Sequence, residues 1–264
     1  MATDSDSAGD PVGLQLTAGH ATITLNKPDV LNALDETMVE QVHAALDACS
    51  DARVVVLRGS GRGFSAGRDL SNASPLDEDA RAILADLFNP LVAKVRDLPM
   101  PTIAAVHGAA LGVGFGLAMA CDMIVVAEKS RLGSPFNKIG CVLDSGGHAA
   151  LVQRVGPHRA LELIYTGRLL NGTEAAAIGL ANEVVANDEL TARVDVLATD
   201  IANGPTAAFA ASKRIVQSIA DHEMGFARSL GAEADAQGQL AGGPDYVEGI
   251  SAFKEKRDPT FTGE

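Results

Sequence analysis

The chain has 264 residues, a length that fits one large domain or a domain with a small appendage. Hydrophobic residues make up 47% of it and charged residues 21%, as in ordinary globular proteins. The formal net charge of −13 argues against nucleic acid and against an anionic membrane surface as partners. Residues 1–11 are acidic and small, unlike a secretory or transit signal, so we expect a disordered leader on a cytoplasmic protein.

The cysteines predict neither a disulfide framework nor a zinc site. Cys49, Cys121 and Cys141 are widely spaced in apolar stretches, which is typical of reduced, mostly buried thiols. The sequence also lacks a His/Cys/Asp cluster at metal-ligand spacing, so we expect no metal.

Strand and helix patterns alternate in the first half of the chain. The predicted strands are 13–17, 21–26, 53–59, 102–108 and 123–128. Between them we expect a helix capped by Asp35, whose apolar stripe runs from Met38 to Cys49, and a second helix over about 78–97. This order predicts a mostly parallel α/β core.

After residue 146 the pattern is almost entirely helical. The clearest segments are 173–180, 189–203, 206–219 and 245–257. The sequence therefore predicts a core over residues 12–200 and a C-terminal helical region over residues 201–264.

The stretch "LGVGFGL", residues 111–117, places three glycines at the start of an apolar helix. One interpretation is a dinucleotide fingerprint, although Leu117 stands where the third glycine of that motif belongs. A second is tight packing of a helix on a sheet. The third is an oxyanion site, in which a free N–H of the first helical turn, that of Val113, stabilises negative charge.

An oxyanion site needs a second donor, and the loop "GFSAGRDL" at residues 63–70 is the candidate. Gly67 permits an unusual backbone turn that would aim the N–H of Arg68 inward. Asp69 in the same loop is more typical of a loop-capping group than of a catalyst.

Five blocks of the sequence resemble, in order, those of the crotonase superfamily of enoyl-CoA hydratases and isomerases. The blocks are "ITLNKPDVLNAL" (23–34), "GRGFSAGRDL" (61–70), "AAVHGAALGVGFGLAMACDMIVVAE" (104–128), "IGCVLDSGG" (139–147) and "GISAFKEKRDPTF" (249–261). The resemblance implies a spiral of repeated ββα units, a C-terminal trimerisation region, and homotrimers or dimers of trimers. It also implies an acyl-CoA thioester substrate, so that coenzyme A enters as part of the substrate and no separate cofactor is needed.

The resemblance also assigns site residues. The two oxyanion amides fall on Arg68 and Val113, and the acyl-CoA contacts fall on Lys27, Ala66, Gly67, Asp69, Leu70, Gly112, Phe136, Phe253 and Lys256. A solvated surface position is the alternative for each lysine. The two glutamates of the hydratases match Gly116 and Phe136, neither of which can move a proton. A water-adding reaction between two carboxylates is therefore not expected.

Asp144 falls where some isomerases of the superfamily, including the ring-epoxide isomerase of phenylacetyl-CoA degradation, carry a single carboxylate. The neighbouring Cys141, Val142 and Leu143 predict an apolar pocket that would raise its basicity. The alternative role for Asp144 is a helix N-cap. The sequence thus favours an acyl-CoA isomerase. A hydratase, thioesterase or dehalogenase of the same superfamily, or a silent CoA- or RNA-binding homologue, stays open.

Overall fold

The structure is a computed structural model that describes residues 9–17, 19–71, 73–74, 76–222 and 224–264. Most of the leader predicted at residues 1–11 lies outside these ranges. Within the described residues, no helix combines the length and the apolar character needed to cross a bilayer.

A six-stranded sheet forms the centre of the fold. The strands of the described residues are β1 (Val12–Thr17), β2 (His20–Leu25), β3 (Val54–Gly59), β4 (Thr102–Val106), β5 (Ala109–Leu111), β6 (Met123–Ala127), β7 (Arg131–Gly133) and β8 (Glu183–Val185). The large sheet has the order β1-β2-β3-β4-β6-β8, and β5 pairs with β7 separately. The β1–β2 pair is antiparallel, while the other pairs are parallel.

Helices cover both faces of this sheet. They are α1 (Glu36–Asp47), α2 (Ala80–Ala82), α3 (Asn89–Asp97), α4 (Val113–Ala120), α5 (Gly147–Thr166), α6 (Gly172–Ala177), α7 (Leu190–Ala202), α8 (Thr206–Ala220), α9 (Phe226–Leu240) and α10 (Pro244–Glu255). A π-helical segment, Ile83–Phe88, joins α2 to α3.

Alternate residues of the central strands enter two separate cores. Val55 and Leu57 of β3 belong to the larger core, together with apolar residues of α1, α3, α4 and α5. Val54 and Val56 point to the other face, where Leu190 and other residues of α7 cover them. Burial on both faces explains why this strand reads as an unbroken apolar run.

The predicted parallel α/β core is confirmed, and the predicted strands match β1, β2, β3, β4 and β6 within two residues. Three strands were missed: β5, β7 and β8 have three residues each, too few to show a period. Strand β8 corrects the expectation of an almost wholly helical chain after residue 146. Helix α7 ends at Ala202, so the predicted boundary at residue 200 falls within its last turn.

The predicted start of α1 is confirmed at its cap. A carboxylate oxygen of Asp35 accepts a hydrogen bond from the Met38 N–H at 2.9 Å. The ammonium group of Lys27 pairs with the other carboxylate oxygen. Met38 and Val42 of the predicted stripe are fully buried, and Cys49 lies in the same core.

We expect Asp35→Ala to lower the free energy of unfolding by about 1 kcal/mol, because it removes the cap of α1. Asp35→Asn keeps the capping oxygen and loses only the partly exposed ion pair, which contributes about 0–1 kcal/mol. Urea denaturation of both variants measures the difference. Equal midpoints for Asp35→Ala and the wild type would contradict a stabilising cap.

Candidate active site

The buried side chain of Asn32 holds the loop that contains the first predicted oxyanion amide. Its amide group donates to the carbonyls of Ser60 at 2.9 Å and Gly63 at 2.8 Å, and a third contact reaches the carbonyl of Phe64 at 3.2 Å. Its oxygen accepts from the Lys27 N–H at 2.8 Å. Asn32 itself has a left-handed φ of 55°, a conformation that Asn tolerates better than most residues. The side chain therefore ties the loop to the segment that follows β2.

Leu34 fixes the backbone on either side of Arg68. The Leu34 N–H donates to the Gly67 carbonyl at 2.7 Å, and the Leu34 carbonyl accepts from the Asp69 N–H at 2.9 Å. In the part of the chain that the structure describes, the N–H of Arg68 has no protein acceptor. The loop thus leaves this donor available to a ligand.

The second predicted donor lies at the first residue of α4. Gly112 precedes the helix with φ 52° and ψ −125°, a backbone shape suited to glycine. The N–H of Val113 is one of the first-turn donors that a helix cannot satisfy internally. Among the described residues it has no acceptor either.

The two donor segments are in backbone contact. A Cβ on Gly67, whose φ is +92°, would lie 2.6 Å from the Leu111 carbonyl oxygen and 3.5 Å from the Cα of Gly112. No side chain fits between these segments. Arg68 and Val113 each follow one of the touching residues, so their free N–H groups belong to one small region.

The glycines of α4 answer the question that the sequence left open. Gly112 faces the ring of Phe136, Gly114 packs on Ser65, and Gly116 packs on Ser145. A Cβ on Gly114 or Gly116 would approach these serines to 2.5–2.8 Å. The glycines therefore serve close packing, as the second interpretation proposed, while the oxyanion interpretation stays a prediction. A glutamate at position 116, as in the hydratases, has no room in this backbone.

Asp144 immediately precedes Ser145, the residue on which Gly116 of α4 packs. Its carboxylate is half-buried and accepts a hydrogen bond from the Ser145 hydroxyl at 2.8 Å. Burial raises the pKa of Asp144, while the Ser145 hydroxyl and the charge of His148 act in the opposite direction. A carboxylate with a raised pKa is a stronger base than an ordinary aspartate.

The alternative role for Asp144, a helix N-cap, is wrong. The N-cap of α5 is Gly146, with φ 77°, and its first turn has no side-chain cap. The predicted apolar surroundings also need correction. Leu143 is buried, but Cys141 is exposed and Val142 is 72% exposed.

The structure places several predicted contact residues around the loop. Ala66 donates its N–H to the Leu31 carbonyl at 2.8 Å, Asp69 accepts from the Ser71 N–H at 2.8 Å, and Leu70 is exposed. The Ser71 N–H lowers the pKa of Asp69, consistent with the loop-capping role.

Lys27 lies beside this loop: its N–H donates to Asn32, its charge acts on Asp69, and its ammonium group pairs with Asp35. Two other predicted coenzyme A contacts are not brought together with the loop. Phe253 is 83% exposed on α10, and Lys256 caps the end of that helix. Within the described residues, no hydrogen bond or ion pair joins these α10 positions to the loop at residues 63–70.

A cavity of about 630 Å³ adjoins the site. Gly116 and Ser145 belong to its wall, together with Val92 of α3, Ala149 of α5 and Val216 of α8. Arg68, Val113 and Asp144 do not line it. In the described part of the chain, no group of three His, Cys, Asp or Glu side chains is placed to hold a metal ion.

Sequence reasoning missed three residues that build the site: Asn32, Ser65 and Ser145. All three are polar yet almost fully buried. The Ser65 hydroxyl donates to the Asn32 carbonyl at 2.8 Å. In the sequence, only their position within the five blocks that resemble the crotonase superfamily, next to glycines or left-handed turns, could have indicated that these residues matter.

The family model described as enoyl-CoA hydratase/isomerase matches residues 15–264. The chain belongs to this family. A probable enoyl-CoA hydratase of Rhodobacter capsulatus is 36% identical over 250 residues, which cover 94% of this chain and 96% of the relative. The 1,2-epoxyphenylacetyl-CoA isomerase of Escherichia coli is 34% identical over 256 residues, which cover 93% of this chain and 95% of the relative.

A solved structure of an enoyl-CoA hydratase from Bacillus anthracis superposes with a TM-score of 0.91 at 31% identity. The match covers 97% of this chain and all of that one. The predicted crotonase fold is therefore confirmed, and the chain is an enzyme of the hydratase/isomerase superfamily.

We expect Gly67→Ala to lower kcat by about 10²–10³, the cost of losing one oxyanion donor. The new Cβ would collide with the Leu111 carbonyl and move the Arg68 N–H. Gly179→Ala is the matched control, because Gly179 also has a positive φ, of 79°, but nothing crowds its Cβ. Steady-state kinetics with both variants gives the comparison. A Gly67→Ala enzyme as active as Gly179→Ala would rule out this geometry.

Proposed function

We propose that the protein is an acyl-CoA isomerase that shifts a double bond through a thioester enolate. The thioester oxygen accepts hydrogen bonds from the Arg68 and Val113 N–H groups. Asp144 removes a proton from the carbon next to the carbonyl of a 3-enoyl-CoA, and the electron pair moves onto the thioester oxygen. The same carboxyl returns the proton to the γ carbon, which yields the conjugated 2-enoyl-CoA.

The observation that carries this proposal is that the same helix, α4, packs on the segment of the two free amides and on the residue that follows Asp144. Asp144 has a raised pKa and adjoins α4 through the contact of Ser145 with Gly116. Gly116 and Phe136 supply no acid or base where the hydratases have theirs. One base suffices for a 1,3-proton shift, whereas hydration needs a group to activate water and a group to protonate carbon.

Relatives named as hydratases support a second candidate. The Rhodobacter capsulatus relative carries that description, and it is 36% identical to this chain. In that case a water molecule would add to a 2-enoyl-CoA with Asp144 as its base. A reaction at this same site by a thioesterase or dehalogenase route would also use Asp144.

The assembly and the coenzyme A contacts are part of the proposal. We propose a homotrimer or a dimer of trimers, in which Phe253 and Lys256 reach the coenzyme A nucleotide bound by a neighbouring subunit. The exposure of Phe226, Ile250 and Phe253 on α9 and α10 supports an assembly that covers this apolar surface.

Ultraviolet absorbance of the conjugated thioester separates these candidates. We expect a 3-enoyl-CoA to gain conjugation in the presence of the enzyme, and a 2-enoyl-CoA to resist hydration. Asp144→Asn should lower turnover by at least about a hundredfold, because the amide cannot take a proton, while binding of a saturated acyl-CoA is retained. Asp188→Asn, at an exposed position, is the control.

Rapid hydration of the 2-enoyl-CoA would replace the isomerase proposal with the hydratase. Normal turnover by Asp144→Asn would remove Asp144 from the mechanism altogether.

Lys256→Ala should weaken coenzyme A binding about two- to fivefold at low salt, because an exposed ion pair is worth less than about 1 kcal/mol. The difference should vanish at high salt, where the charges are screened. Lys254→Ala, two residues away and also exposed, is the control. Calorimetric titration with coenzyme A measures both. If the two variants bind alike at low salt, Lys256 is a solvated surface residue.

A further inference from the structure

The residues after Asp144 adopt an unusual backbone. Ser145 has φ 52° and Gly146 has φ 77°, so two consecutive residues are left-handed. Serine is disfavoured in this region, whereas glycine is not. A strained residue of this kind persists only where its surroundings hold it, and such residues concentrate at functional sites.

Helix α4 holds Ser145 in this conformation. The Cβ and the carbonyl oxygen of Ser145 fill the space where a side chain of Gly116 would lie. Ser145 is only 3% exposed. Its hydroxyl donates to the Oδ1 atom of Asp144 at 2.8 Å, so the side chain is both packed and engaged.

We propose that Ser145 is a positioning residue, whose hydroxyl holds the Asp144 carboxylate in the orientation that receives the substrate proton. The proposal rests on the proposed role of Asp144 as the base. With Oδ1 held by the hydroxyl, Oδ2 is the oxygen left to take the proton.

The hydroxyl also favours the charged form of Asp144. A hydrogen bond donated to a carboxylate lowers its pKa and here opposes the effect of burial. The other charged group acting on Asp144 is His148 of α5. Helix α4 carries no titratable side chain. The basic residues of α3 are engaged elsewhere, Lys94 by Asp47 and Arg96 by Asp221.

Two substitutions separate positioning from simple packing. Ser145→Ala removes the hydroxyl and keeps a Cβ at a left-handed φ. Ser145→Gly removes the hydroxyl and relieves the backbone strain, so its thermal stability should be the higher of the two. Ser130→Ala is the matched control, because Ser130 is also fully buried and its hydroxyl donates to a carbonyl, that of Val106, at 3.1 Å.

Both Ser145 variants should show the same kinetic defect despite their different stabilities. The acid limb of kcat/KM should move up by about one pH unit, since Asp144 loses a bond that favours its charged form. On the alkaline plateau kcat should fall about tenfold with little change in KM. Ser130→Ala should keep the wild-type pH profile.

Wild-type pH profiles in both Ser145 variants would overturn the inference, as would activities that simply follow their melting temperatures. Asp144→Asn is assayed alongside. An inactive Asp144→Asn enzyme with unchanged Ser145 variants refutes only the positioning role. An active Asp144→Asn enzyme refutes the proposed function on which it rests.

Discussion

The close approach of two backbone segments, at Gly67 and at Leu111–Gly112, is the constraint on which the site depends. No Cβ fits at Gly67, because the Leu111 carbonyl oxygen would lie 2.6 Å away. This contact brings the end of one loop beside the start of α4, and each segment has one N–H without an acceptor among the described residues. The parallel sheet supplies the framework, since β4 leads through β5 into α4 at one edge. Asn32 and Leu34 then fix the loop from the side of β2. The donors are thus preorganised by packing, which is the condition for strong stabilisation of a developing oxyanion.

Helix α4 also constrains the position of the segment that carries the Asp144 carboxylate. Gly114 packs on Ser65 of the loop at residues 63–70, and Gly116 packs on Ser145, one residue after Asp144. A single short helix therefore sets the spacing between the two amides and the Asp144 segment. A Cβ at position 116 would lie 2.5 Å from the Ser145 carbonyl oxygen, so the glutamate that the resemblance assigns to hydratases at this position does not fit the present backbone. Restoring it would require α4 and the Asp144 segment to move apart.

Much of this arrangement could be predicted from the sequence. The long apolar strands, the Asp35 cap and the stripe of α1 are local patterns, and the structure confirms them. The three-residue strands β5, β7 and β8 carry no readable period, so they were missed. The surroundings of Asp144 also could not be predicted from the local sequence. Its neighbours Cys141 and Val142 are apolar but exposed, so the apolar residues beside it in sequence do not explain why the carboxylate is half-buried. The buried polar residues Asn32 and Ser65 act through tertiary contacts, and Ser145 is held by its packing on α4, so no local pattern reveals their roles.

The proposed isomerase chemistry rests on which proton-moving groups the site lacks as much as on those it holds. An oxyanion site stabilises the enolate common to many reactions of acyl thioesters, so it does not choose among them. The choice depends on the groups that move protons. A single carboxylate of raised pKa can take a proton from one carbon and give it to another. Between the two transfers the negative charge is held on the thioester oxygen. Hydration needs a water molecule held and activated while carbon is protonated, and the two positions that do this in hydratases hold Gly116 and Phe136. Phe136 lies against Gly112 and makes the entrance to α4 apolar. In the proposed reaction, an apolar wall beside the enolate would disfavour bound water, and this would favour proton transfer within the substrate over addition of water.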